Sequence, residues 1–215
     1  MSAADKVIAQ CRKPSGFFGR FILWDMNRHH SKLTDWGLSH VTIKPNDKIL
    51  DVGCGGGRTI NKLSALASAG KVYGIDYSED SVAAARKANA RLIDIGLVEI
   101  QPGSVSRLPF ENDTFDVVTA IETHLFWPNL LEDFREIFRV LKPGGMLSIV
   151  AEIYRGGTHL EGVRKTIFEK HLAANMNLLT PHEHRDLFSS ASFSDVQVFE
   201  ELDKGWICAT GKKPS

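Results

Sequence analysis

An excess of either charge is missing from this sequence. Its 215 residues include 26 basic and 26 acidic side chains, for a formal net charge of zero. Nucleic-acid binders neutralise phosphates with a basic surface. The nearest approach to one here is Lys212-Lys213 at the tail, read as a solvated end. This argues against DNA or RNA as partner. Cysteine is scarce as well. Cys11, Cys54 and Cys208 are too few and too widely spaced for a disulfide framework, and no pair has C-x-x-C metal spacing. No apolar run approaches the roughly 20 residues that span a bilayer, and the N-terminus shows no apolar signal core. The expectation is a cytoplasmic protein that makes no membrane contact. Internal repeats and low-complexity segments are also absent.

What is present is an alternation of strand-like and helix-like stretches. Lys48 to Val52, Lys71 to Asp76, Val98 to Gln101, Phe115 to Ile121 and Met146 to Ala151 read as strands. Between them, Arg58 to Ala67, a Ser78-capped stretch to Ile93, and Asn129 to Leu141 read as helices, the last with an apolar stripe and a stop at Pro143-Gly144-Gly145. Alternation of this kind predicts a parallel sheet covered by helices on both faces. Further along, a helix is expected from His159 to Ala174, then one starting at Thr180-Pro181. Val196 to Glu201 and Trp206 to Thr210 follow, joined by Asp203-Lys204-Gly205 as an antiparallel hairpin. The expected fold is α/β, with a doubly wound, mostly parallel seven-stranded sheet ending in that hairpin. Its length suits one domain: a helical cap over residues 1–45, a core over 46–151, and an insert plus hairpin over 152–215.

The chemistry centres on Asp51-Val52-Gly53-Cys54-Gly55-Gly56-Gly57. A glycine loop between strand and helix brings backbone N–H groups close to a ligand. The dinucleotide fingerprint G-x-G-x-x-G fails at its third position, which is Arg58, and no Gly-Lys-Ser/Thr of a phosphate-binding loop follows. Asp51, two places before Gly53, would repel a pyrophosphate and suits a ligand with a cationic amino acid part. Cys54, between glycines, reads as a small packing residue rather than a nucleophile.

This loop resembles the first motif of class I S-adenosylmethionine-dependent methyltransferases, and the resemblance runs in order from about Asp47 to Ala151. It includes Asp76 at the end of the second strand, Leu108-Pro109-Phe110 before the fourth, and Arg139 to Gly145 before the fifth. The resemblance implies S-adenosyl-L-methionine as cofactor and S-adenosyl-L-homocysteine as product, with Asp76 on the ribose hydroxyls. Asp51, Gly53, Cys54, Gly55, Tyr77, Ser104, Val105 and Glu122 are further cofactor contacts. Many relatives place an acidic residue after the third strand. Here Gly103-Ser104-Val105 stands instead, leaving a hydroxyl and a backbone for the adenine edge.

The acceptor side is expected beyond the carboxyl ends of the strands, where Glu122 to Pro128 follows the fourth strand. Glu122 or His124 would orient the acceptor or take its proton. The alternatives are that Glu122 holds the cofactor's amino acid end and that His124 is a surface residue. The Asn/Asp-Pro-Pro-aromatic motif of adenine methyltransferases is missing here. His29, His30 and Trp36 of the cap, with Trp127 and Tyr154, are candidate substrate contacts. A metal site built from His29, His30, His182 and His184 lacks ligand spacing, so no metal is expected. The acceptor is expected to be a small molecule and the protein a monomer or homodimer. An RNA or protein methyltransferase would want a basic face or an added binding domain. A non-catalytic cofactor-binding protein would keep the same loop. A nicotinamide oxidoreductase would want the missing third glycine and a hydride-site pair.

Overall fold

The computed structural model describes residues 31–157 and 176–215. His29, His30 and the rest of residues 1–30 of the expected helical cap, with the helix expected from His159 to Ala174, lie outside the described residues. The elements are α1 (Ser31–Leu38), β1 (Lys48–Val52), α2 (Arg58–Leu66), β2 (Lys71–Asp76), α3 (Glu79–Ala88), α4 (Ala90–Asp94) and β3 (Val98–Pro102). Then come β4 (Phe115–Ile121), a 3₁₀ turn (His124–Phe126), α5 (Leu130–Val140), β5 (Leu141–Ala151), α6 (Pro181–Ser190), β6 (Ser194–Glu201) and β7 (Trp206–Lys212).

The seven strands lie in the order β3-β2-β1-β4-β5-β7-β6. The first five are parallel, and β7 runs antiparallel to both β5 and β6. This is the expected doubly wound sheet with its hairpin. Right-handed crossovers explain where the helices sit. The chain steps from β1 to β2 to β3 in one direction, so α2 and α3 share a face. There Ile60, Leu63, Val82 and Ala85 bury against Ile49, Val72, Val98 and Val117. It then returns to β4 and β5 on the other side of β1, which puts α5 on the opposite face. Phe134, Ile137 and Phe188 pack there on Leu50, Val118, Leu147 and Ile149. The order therefore reverses between β1 and β4, and open α/β sheets bind ligands beyond the carboxyl ends of the strands at such a switch point.

Two sequence expectations are corrected. The helix expected to run to Ile93 stops at Ala88, because the Asn89 side-chain amide donates to the carbonyls of Ala85 and Gly57. That side chain ties the end of α3 to the glycine loop, and a short α4 restarts beyond it. Pro143-Gly144-Gly145 is not what ends α5, since the helix already stops at Val140 and β5 begins at Leu141. The register with β4 shifts between Phe115↔Leu141 and Val117↔Met146, so the Pro-Gly-Gly stretch is absorbed as a bulge. No helix among the described residues is long and apolar enough to cross a membrane.

Candidate active site

The glycine loop is pinned across the β1–β2 boundary. The N–H groups of Gly53 and Cys54 both donate to the Ile75 carbonyl, at 2.8 and 2.9 Å. Gly53 has φ +74°, and a Cβ there would stand 2.5 Å from Thr123 Cγ2. Glycine is therefore required twice at this position, by backbone conformation and by space. The Thr123 hydroxyl donates to the Val52 carbonyl at 3.0 Å, which locks the end of β4 to the end of β1. Cys54 is buried, and burial pushes its thiol well above the ordinary range, consistent with a packing role.

Two carboxylates flank this loop. Asp76 accepts from the Gly55 N–H and from the Ser78 N–H, each at 2.9 Å. Asp51 accepts from the Thr119 hydroxyl at 2.7 Å. Both side chains are buried, and no lysine or arginine among the described residues forms an ion pair with either. Burial raises Asp51 to about 7. The Thr119 bond works against that rise, and the charge of Asp76 adds to it. Asp76 is raised by the same desolvation and eased down by its two backbone donors. A pair of buried carboxylates with no cationic side-chain partner among the described residues, beside a glycine cradle, fits a ligand with a cationic group and hydroxyl donors. It does not fit a phosphate. Exposed Tyr77 follows Asp76 directly. The Gly103 N–H donates to the Asp76 carbonyl at 3.0 Å, so exposed Ser104 and buried Val105 border the same corner.

The other predicted residues separate into groups. Glu122 sits at the end of β4 with φ +61°. A left-handed glutamate costs about 1–2 kcal/mol, and such strain gathers at functional sites. Its N–H donates to the Val150 carbonyl, and its carboxylate accepts the Glu152 N–H at the end of β5. Trp127 is buried against Phe134, with ring centroids 5.8 Å apart. Tyr154 is buried too. Its hydroxyl donates to Glu200 Oε2 at 2.7 Å and is pushed up to about 12 by burial and that neighbour. Trp36 on α1 lies beside His40 and Trp206, while His40 stacks on Phe199 at 4.0 Å. With Ile121, these rings pack around Leu33, Val150 and Cys208. Trp206, Phe199, His40 and Thr119 went unnoticed in the sequence, because no linear pattern joins helix α1 to the two last strands.

His124 is not a surface residue. Its ring is buried between His184, at 5.6 Å, and Trp127, at 6.4 Å. His124 Nδ1 and His184 Nε2 make no hydrogen bond, and burial lowers both imidazoles, His124 well below 6.5. His182, two residues before His184, is exposed beside Asp186, so the two histidines do not converge. Among the described residues no His/Cys/Asp/Glu cluster could hold a metal ion.

The buried pair has a consequence for stability. The unfolded chain protonates its histidines near 6.5 while the folded chain resists, so this contribution is lost as pH falls through about 6.5. The slope is up to about 1.4 kcal/mol per pH unit for each histidine. Asp51, raised in the fold, acts in the opposite sense between about pH 4 and 7, and Asp76, also raised, adds in the same direction, so the readout is a difference. Urea unfolding at pH 7.5 and 5.5 should show the native chain losing ground relative to His184→Gln on acidification. Parallel pH dependences would refute the effect.

Residues 50–149 match a family model described as a methyltransferase domain. The chain is 36% identical over 122 residues to 24-methylenesterol C-methyltransferase 2 of Arabidopsis thaliana, covering 57% of this chain and 33% of that one. The chain spans a third to less than half of the length of several curated relatives it matches. Among solved structures, a Haloferax volcanii complex between a putative methyltransferase and a methyltransferase activator aligns with a TM-score of 0.77 at 21% identity. That alignment covers 100% of this chain and 99% of the other. Haemonchus contortus phosphoethanolamine N-methyltransferase 2, solved with S-adenosyl-L-methionine, aligns with a TM-score of 0.73 at 16% identity, over 86% and 53% of the two chains. By the match of residues 50–149 and by its sheet order, the chain carries a methyltransferase domain with the fold of the class I S-adenosylmethionine-dependent methyltransferases.

Proposed function

We propose that the chain transfers the methyl group of S-adenosylmethionine to a small, largely apolar acceptor. The observation that carries this reading is the half-buried apolar cluster of Ile121, Trp36, Phe199 and Trp206 packed around Leu33, Val150 and Cys208. It adjoins the end of β4, where Ile121 directly precedes Glu122. A sterol acceptor in the name of one relative agrees with it. The balanced charge of the chain gives no net electrostatic attraction for RNA.

When bound, S-adenosylmethionine supplies an electrophilic methyl group, so the protein's task is alignment and exclusion of water. Asp76 would hold the ribose hydroxyls, with Tyr77, Ser104 and Val105 at the adenine edge. Asp51 would face the ammonium end, and the backbone of Gly53 to Gly55, held in place by its bonds to the Ile75 carbonyl and Asp76, would line the path between them. Glu122 acts as a positioning residue, because its carboxylate already ties the β4 end to the β5 end. His124 and Tyr154 are engaged within the fold and serve to hold the site's outer segments.

Turnover with radiolabelled donor tests the reading. Apolar phenols, quinols and isoprenoids should be labelled ahead of polar amines, bulk RNA and bulk protein. Trp206→Ala should raise the acceptor KM about tenfold while leaving S-adenosylhomocysteine affinity unchanged. Label appearing only in RNA or protein would overturn the small-molecule assignment.

A further inference from the structure

A row of polar side chains crosses the middle of the sheet. Strands covered on both faces ordinarily carry apolar residues throughout. Here Asp51 on β1, Thr119 on β4, Ser148 on β5 and Thr210 on β7 are register neighbours, and all four are buried. Thr119 is flanked along its strand by Val118 and Ala120 and has no exposed surface. Burying a hydroxyl there is costly unless it is bonded, and its bond goes to Asp51 Oδ1 at 2.7 Å. The next hydroxyl in the row, Ser148, contacts Cys208 Sγ at 3.7 Å instead. The row thus has one charged end, and Thr119 is the group that touches it.

We propose that Thr119 is a positioning residue of the cofactor site, its hydroxyl orienting the Asp51 carboxylate and favouring its charged form for the ammonium end of S-adenosylmethionine. The inference rests on the assignment of Asp51 to that end of the cofactor. The groups facing Asp51 leave this task to Thr119. Asp76 from β2 opposes ionisation by its charge, and Cys54 from the loop is a thiol held neutral by burial. On the covering helices, Lys62 of α2 is engaged with Asp35 and Ser31 of α1, and Arg58 is exposed. The carboxyl titrates near neutrality, so one hydrogen bond shifts its balance at working pH. On the acid side the cofactor meets a protonated Asp51. Seating the ammonium then releases that one proton to solvent, with no other bond made or broken.

Calorimetric titration with S-adenosylhomocysteine between pH 5.5 and 8 tests this without any acceptor. Thr119→Val, which removes the hydroxyl at nearly constant volume, should weaken binding about tenfold at pH 7. It should also move the acid limb of the affinity profile up by about one pH unit. Thr119→Ser, which keeps the hydroxyl, should stay within about threefold of the native chain with the limb in place. If the valine chain does not fold by circular dichroism, Thr119→Ala takes its place in the comparison with Thr119→Ser. Native affinity and an unmoved limb in the valine or alanine chain would overturn the role of Thr119. So would a serine chain as weak as the valine one, since packing would then be the cause. Absence of binding by the native chain would overturn both this inference and the cofactor assignments beneath it.

Discussion

Replacing Asp76 with alanine is expected to weaken S-adenosylhomocysteine binding by roughly two to four orders of magnitude while the chain stays folded. A carboxylate offers about four acceptor positions, and the Gly55 and Ser78 N–H groups take one on each oxygen. Two remain for the ribose hydroxyls. Hydrogen bonds to a charged group are worth about 1.5–3 kcal/mol each, so two lost bonds account for roughly 3–6 kcal/mol of binding free energy. The Gly55 N–H also loses its acceptor, which loosens the loop. Folding should not suffer in proportion. Burial opposes the charged form of this side chain in the folded protein, so its removal relieves a cost at the same time as it removes two backbone bonds. Calorimetry and urea unfolding on the same variant separate the two effects. Affinity within threefold of the native chain would contradict the assignment of Asp76. A collapse in stability would mean that its main role is structural.

Gly53→Ala is expected to lower stability by roughly 2–3 kcal/mol and to cut cofactor affinity by at least about tenfold. Two costs add. A non-glycine residue at φ +74° pays about 1–2 kcal/mol for the left-handed conformation. The new methyl group also meets Thr123 Cγ2 at 2.5 Å and Cβ at 2.8 Å. Thr123 cannot turn away freely, because its hydroxyl holds the Val52 carbonyl. The collision is therefore relieved by moving the loop, which carries the N–H groups of Gly53 to Gly55. Gly96→Ala isolates the first cost. Its φ is +78°, and a Cβ there meets nothing within 4 Å. It should lose only about 1 kcal/mol and keep full cofactor affinity. Equal losses in the two variants would show that strain alone governs Gly53 and that Thr123 yields.

Much of this architecture is written locally. The strand boundaries of β1, β2 and β4 follow from short apolar runs bounded by turn residues. The glycine loop follows from five residues in a row, and Asp76 from its place at the end of the next strand. The donor identity rests on the same local features, a carboxylate before the loop and an arginine where a dinucleotide site needs a third glycine. The misplaced features also have local causes. Pro143-Gly144-Gly145 reads as a helix stop in any one-dimensional scan, because the bulge that absorbs it depends on a partner strand. Asn89 looks like an ordinary helical residue until the Gly57 carbonyl, 32 positions away, comes within its reach.

Consecutive residues thus determined the fold class, the cofactor loop and its two acids, since each depends on spacing along the chain. Tertiary structure decided the rest. Thr119 reaches Asp51 across 68 positions, and Tyr154 reaches Glu200 across 46. His124 is buried beside His184, 60 positions on, and Trp36 meets Trp206 only because β7 inserts between β5 and β6. The physical reason is the same each time. A side chain's neighbours are set by strand register and crossover geometry, and a one-residue slip would exchange every one of them. A threonine in a strand is an unremarkable β-former by sequence. Only the register of β4 against β1 sets it against the acid of the cofactor loop.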